Sequence, residues 1–134
     1  MKKLILILLL VLSLSSIVMS HNLSGVVSFY GDKEHGKLTA RGDKYNQWAL
    51  TAAHKTLPFG TILKVTNLRN SKSVIVKVTD RGPYVAGRVL DLSTGAFLKI
   101  ADKKQGLIKS SEITIKIIKL GAGRTCHYGR GKCD

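Results

Sequence analysis

Few groups in this chain could exchange a proton near neutral pH. Beyond residue 20 the acids are Asp32, Glu34, Asp43, Asp80, Asp91, Asp102, Glu112 and Asp134, and the histidines are His21, His35, His54 and His127. Asp32, Glu34 and His35 share one polar loop, Asp102 ends a helical pattern and Glu112 starts a strand pattern. His21, His127 and Asp134 lie near chain ends, so solvated-surface roles suit all of these. Asp43, His54, Asp80 and Asp91 are left as the candidates for chemistry. Asp80 closes an alternating run and precedes Arg81-Gly82-Pro83, a sharp turn that projects its carboxylate at a sheet rim. It could cap that turn through its own backbone, as Asp residues do, or serve as an acid held on a rigid element. Asp91 ends a returning strand in the same way, and two parallel strand ends would bring both carboxylates to one side. Asp91 could equally pair with Arg81 or Arg88. Paired carboxylates suit cleavage of a glycosidic bond, where one protonates the leaving oxygen while charge develops at the sugar carbon. His54 sits between the small residues Thr51-Ala52-Ala53 and a Leu57-Pro58-Phe59-Gly60 turn, and gains a catalytic role only if Asp80 is near. There is no HExxH, no phosphate-cradling glycine loop and no serine with a partnered histidine, so peptidase and nucleotide chemistry have no support. Nothing calls for a metal or a cofactor.

The elements that must position these groups read mostly as strands. Val26–Tyr30 is a short β run stopped by Gly31, and Ile62–Leu68 is another, stopped by Arg69-Asn70-Ser71. In Ser73–Thr79, Val74, Val76 and Val78 share one face, while Ile75 and Lys77 share the other. Glu112–Leu120 repeats that theme, and Arg88–Leu92 is a shorter strand feeding a helix with Ser93 as N-cap and Ala96, Phe97 and Ile100 as its apolar stripe. One helix among about six short strands predicts a mostly β domain, closed into a barrel to remove its edges.

The chain ends carry different signals. Residues 1–20 place Lys2 and Lys3 before an apolar block, Leu4–Leu12, and read as a secretory signal peptide cut after Ser20, with an uncleaved anchor as the alternative. No cysteine stands near that cut to carry a lipid, so the exported protein is expected to be soluble. Residues 21–134 have room for one small domain, expected to be monomeric. Its 20 Lys+Arg against 8 Asp+Glu leave +12, since only Lys2 and Lys3 are removed. In an exported protein, that charge points to anionic cell-envelope surfaces as partners and away from nucleic acid. Cys126 and Cys133 lie in a basic tail spanning 121–134 behind a Gly121-Ala122-Gly123 hinge. In an oxidising compartment they are expected to form a local disulfide; Cys126, His127 and Cys133 are too few ligands for a structural zinc.

Several segments together resemble one known family. Ser28-Phe29-Tyr30-Gly31, then His35-Gly36-Lys37-Leu38-Thr39-Ala40-Arg41-Gly42-Asp43, Ala49–Thr61, Val65–Asn70, Thr79–Tyr84 and Arg88–Ser93 resemble, in that order, the rare lipoprotein A (RlpA) family. The resemblance covers roughly Gly25–Leu120. It implies a six-stranded double-psi β-barrel over 21–120 with one or two short helices, similar to the first domain of expansins. It also implies lytic transglycosylase activity on peptidoglycan strands lacking stem peptides. Position by position, it places the family's acidic residue on Asp43, its histidine on His54 and its strand-end acid on Asp80, with Asp91 in the matching Asp-Leu-Ser segment. Asp80 is then the acid/base, His54 and Asp43 orient it or stabilise the oxocarbenium-like state, and Asp91 competes for the same role. Tyr30, Trp48 and Tyr84 could stack on sugar rings, as could Tyr45, and Arg81 stands on the substrate side. The chain departs from the family pattern in three respects. Asp43 stands where Glu is more usual, shortening the reach by about 1.2–1.5 Å. The lipid-bearing cysteine and the C-terminal glycan-binding domain of many members are not expected here. The second reading is a non-catalytic, expansin-like wall-binding module that uses the barrel groove and the basic charge.

Overall fold

The computed structural model describes residues 21–123; the expected signal peptide and the tail with Cys126, His127 and Cys133 lie outside the described residues. Apolar side chains at every second position build one sheet. Its strands are β1 (Asn22–Leu23), β2 (Val26–Phe29), β3 (Thr51–Ala53), β4 (Ile62–Asn67), β5 (Lys72–Asp80), β6 (Arg88–Leu92) and β7 (Ile113–Lys119). In β5 the buried residues Val74, Val76 and Val78 alternate with exposed Ser73, Ile75 and Lys77, as the pleat requires. The strand order is β1-β7-β4-β5-β3-β6-β2. β2 pairs parallel to β6 and β3 parallel to β5, while β3 lies antiparallel to β6, so the chain crosses itself in the manner of a double-psi barrel. An isolated bridge between Val27 and Ile108 ties the β2 edge back toward the segment entering β7.

Seven strands stand where about six were expected. Two of the seven match none of the five runs singled out in the sequence: β1, only two residues long, and β3, whose Thr-Ala-Ala composition carries no alternation to read. Glu112 lies not in the last strand but at the end of a 3-10 turn, with Ile113 beginning β7. The Gly121-Ala122-Gly123 hinge is also different. Gly121 N–H donates to Thr61 Oγ1 at 3.0 Å and Gly123 N–H to the Phe59 carbonyl at 3.2 Å. A β-carbon on Gly121 would fall 2.1 Å from the Phe59 carbonyl oxygen, so glycine is required there for close approach to the barrel.

Helix α1 (Thr94–Ile100) packs Ala96, Phe97 and Ile100 onto the sheet. Ser93 starts it, its Oγ accepting from Ala96 N–H at 3.2 Å. At the other end the Ile100 carbonyl accepts from Asn67 Nδ2 at 2.8 Å and Asn70 Nδ2 at 2.9 Å, which satisfies an otherwise orphaned acceptor and fixes the helix to β4. The Phe97 ring lies 4.5 Å from that of Phe29, inside a core shared with Val27, Leu63, Leu90, Leu92, Ile108 and Ile115. Phe97→Ala is expected to lower unfolding stability by about 3–5 kcal/mol, and Leu98→Ala, on the exposed side of the helix, by no more than about 0.5 kcal/mol. Urea unfolding curves of the two variants against the wild type check both.

Candidate active site

The register of four strands sets the site. Ser28 on β2 pairs with Asp91 on β6, Asp91 with Ala53 on β3, and Ala53 with Asp80 on β5. Direct cross-strand partners share a face, and neighbouring strands lie about 4.8 Å apart, so the two aspartates flank Ala53 with Cα atoms roughly 10 Å apart. The ends of β5 and β6 are therefore not the parallel neighbours expected from the sequence. They are antiparallel, with β3 and the small, buried Ala53 between them. Irregular register at Ala52/Ala53 brings Asp80 rather than Thr79 opposite Ala53.

Three donors hold the Asp80 carboxylate. Oδ1 accepts from the backbone N–H groups of Ala40 and Arg81, each at 2.8 Å, and Oδ2 accepts from the Tyr30 hydroxyl at 2.8 Å. The turn-capping role and the presented acid are thus one arrangement, since the Arg81 N–H bond is the cap. Tyr30 follows β2, its N–H bonded to the Leu92 carbonyl at 2.9 Å and its ring 4.7 Å from that of Tyr45. Burial, then the charge and hydrogen bond of Asp80, then the charge of Asp91 push the Tyr30 phenol far above its ordinary range. The phenol is therefore a neutral donor that feels both carboxylates. Tyr30, expected to stack on sugar, has its hydroxyl bonded to Asp80 and its ring against that of Tyr45. Asp91 forms its ion pair with Arg88, three residues back on β6, and not with Arg81.

His54 follows β3 and is buried. Its N–H donates to the Asp80 carbonyl at 3.2 Å, so it adjoins Asp80 through the backbone. Its Nδ1 accepts from the N–H groups of Thr56 and Leu57, at 3.1 and 3.0 Å. Those two donors assign the ring proton to Nε2. Burial, with Arg81 and Lys55 adding repulsion, lowers its pKa to about 4. At neutral pH His54 is an uncharged hydrogen-bond donor, with no imidazolium proton to give. Arg81, expected on the substrate side, is buried. Its guanidinium carbon lies 3.9 Å from the Phe59 ring centroid and Nη1 donates to the His54 carbonyl at 3.2 Å.

Asp43 is set apart from that row. Its carboxylate pairs with Arg41 on the loop whose Ala40 N–H reaches Asp80. A cavity of about 210 Å³ opens beside it, lined among others by Asp43, Tyr45, Ala49, Thr51 and Thr79. Trp48 stands exposed on the same loop, and Gly95 N–H fixes that loop through the Gln47 carbonyl at 2.7 Å. A β-carbon on Gly95 would fall 2.7 Å from the Trp48 carbonyl oxygen, so α1 and the Trp48 loop meet backbone to backbone. Tyr84 is exposed on the turn after Asp80, its ring near Gly82. Among the described residues no three His, Cys, Asp or Glu side chains are grouped to hold a metal ion. The site assembles Asp80, Asp91, Tyr30 and Ala53. The link from Tyr30 to Asp80 escaped the sequence reading; its one trace was a tyrosine at the end of a short apolar strand.

Similarity to known proteins falls on the same segments. Residues 22–111 match the family described as "Lytic transglycolase". The chain is 57% identical over 83 residues to the probable endolytic peptidoglycan transglycosylase RlpA of Synechocystis sp., covering 62% of this chain and 26% of that protein. It is 50% identical over 99 residues to the endolytic peptidoglycan transglycosylase RlpA of Campylobacter jejuni, covering 74% of this chain and 34% of that one. The chain thus spans about a quarter to a third of the length of these relatives. Among solved structures, the Streptomyces papain inhibitor aligns with a TM-score of 0.61 at 24% identity, over 78% of this chain and 100% of its own. A Clavibacter michiganensis expansin in complex with cellohexaose aligns with a TM-score of 0.57 at 22% identity, over 78% of this chain and 54% of that one. Those two likenesses are of fold, and proteins of such different names show how little the barrel alone dictates activity.

The state of His54 has a measurable effect on stability. A buried histidine whose folded pKa lies near 4, below the ordinary 6.5, stabilises the fold fully above pH 6.5, and that contribution is lost as pH falls from 6.5 toward 4. Urea midpoints across that range should fall more steeply with acid for the wild type than for His54→Gln. Parallel slopes would contradict the neutral buried state.

Proposed function

The chain belongs to the RlpA family of lytic transglycosylases, and from that membership we propose that it cleaves peptidoglycan glycan strands without water, leaving 1,6-anhydro-muramyl ends. The observation that carries the reading is the row Asp80–Ala53–Asp91 beneath the Tyr30 phenol. One carboxyl held on a rigid strand end suffices for the reaction. In the proposed step, Asp80 in its acid form protonates the glycosidic oxygen and the bond from that oxygen to the muramyl C1 breaks. Asp80 then takes the proton of the C6 hydroxyl as O6 bonds to C1, which returns the acid form and leaves atoms and charge balanced.

Asp80 is suited to this by its fixed geometry. The two backbone donors on Oδ1 set the plane of the carboxyl group, so Oδ2 is the oxygen that carries the moving proton. Tyr30 can serve both forms, because the oxygen of a carboxylic acid keeps a lone pair that accepts the phenol's O–H. Asp91, charged and paired with Arg88, lies on the same face to offset positive charge at the sugar carbon. His54 contributes a neutral Nε2–H and the backbone that abuts Asp80. Asp43 lines the cavity beside the loop that reaches Asp80, and the exposed rings of Trp48 and Tyr84 suit sugar faces. The favoured substrate is glycan poor in stem peptides, met outside the cytoplasm by an exported protein.

The test is mass spectrometry of soluble products released from intact and from amidase-stripped peptidoglycan. The wild type should release anhydro-muramyl products, more from the stripped material. Asp80→Asn should lower release by at least about 100-fold, within the range that loss of a general acid/base carries. Pelleting with the wall but no release by the wild type would move the assignment to the non-catalytic binding module.

A further inference from the structure

The half of the sheet away from Asp80 and Asp91 presents an ordered pattern with no part in the glycan chemistry. On its outer face, Ile75 on β5 pairs with Lys64 on β4, and Lys64 pairs with Lys116 on β7. In the next row, Lys77 pairs with Ile62, and Ile62 with Lys119. Ile118 stands exposed beside Lys119, at the irregular step in the β4–β7 register. Four lysines and three isoleucines are thus interspersed over three strands. All four lysines are exposed, and among the described residues none forms an ion pair. No acid stands in either row. Like charges directly opposite in an antiparallel ladder destabilise it, so the Lys64/Lys116 pair is unfavourable in the protein by itself and is relieved by an external anion.

We propose that this face binds the surface of a bilayer rich in anionic lipid, independently of the glycan-cleaving assignment. Charge complementarity selects phosphate headgroups, and the isoleucines select a membrane over a soluble phosphate polymer. Ile75 and Ile118, about half exposed, gain nothing from a hydrated polyanion but lose apolar surface to water at a headgroup boundary. Contact is peripheral: no helix among the described residues is long and apolar enough to span a membrane. The register places the face on β7, β4 and the middle of β5, while the acids stand on β6 and at the end of β5, so both surfaces can work at once.

Co-sedimentation of the exported protein with vesicles of phosphatidylcholine alone, or with phosphatidylglycerol added, tests the proposal. Binding is expected only to the anionic vesicles and should be reversed by high salt. Lys64→Gln/Lys116→Gln should weaken it by about 30-fold, at roughly 1 kcal/mol per lysine near the surface. Ile75→Ser should weaken vesicle binding while leaving binding to soluble polyphosphate unchanged. Circular dichroism and glycan release by these variants, which touch neither Asp80 nor its partners, report that the fold is intact. Equal binding to neutral vesicles, equal binding by the double-glutamine variant, or binding to polyphosphate alone would each overturn the proposal.

Discussion

Everything distinctive in this barrel converges on one carboxylate. Asp80 takes a phenol from the end of β2, an N–H from the loop carrying Asp43, and an N–H from its own turn. Those bonds join three separate segments of the chain. Hydrogen bonds to an ionised acceptor are stronger than neutral ones, and each donor left unpaired on losing Asp80 would add its own penalty. The carboxylate is therefore a structural hub as well as a chemical group, and the two roles require the same geometry. A side chain that must stay in one rotamer to hold a loop is also one that meets a substrate oxygen without first losing rotational freedom.

The neighbouring charges divide the work among the other groups. Burial makes His54 neutral and Tyr30 a persistent donor, and Arg88 takes up the charge of Asp91. Arg81, buried against Phe59, supports the His54 segment from beneath. An abundance of lysine elsewhere has no part in this arrangement. The site is made of few ionisable groups, each held by fixed hydrogen bonds or an ion pair, in a protein whose overall charge is strongly basic.

Much of this could be read before any coordinates. The valine alternation of β5 and the Ser93 cap were plain, because each depends only on residues within a few positions. Thr51–Ala53 does not read as a strand, because three small residues bury no more on one face than on the other. The pairing of Asp91 with Arg88 was one of two options, and only the register decides it. The bond from Tyr30 to Asp80 spans fifty positions and depends on a parallel crossover that no local pattern encodes. The glycines at 121 and 123 mislead for a related reason: glycine marks freedom and close approach alike, and only the neighbouring Phe59 carbonyl tells which applies.

The parallel pairing of β2 with β6 has a consequence for the order in which the domain assembles. Ser28 and Asp91 are neighbours in the sheet, yet most of the domain lies between them in sequence. Contacts of such long range form late and slowly, because loop closure must precede any gain from the contact. A chain still emerging has neither the β2–β6 ladder nor the phenol above Asp80. Assembly of the Asp80 arrangement is thus coupled to formation of the long-range ladder that closes the barrel.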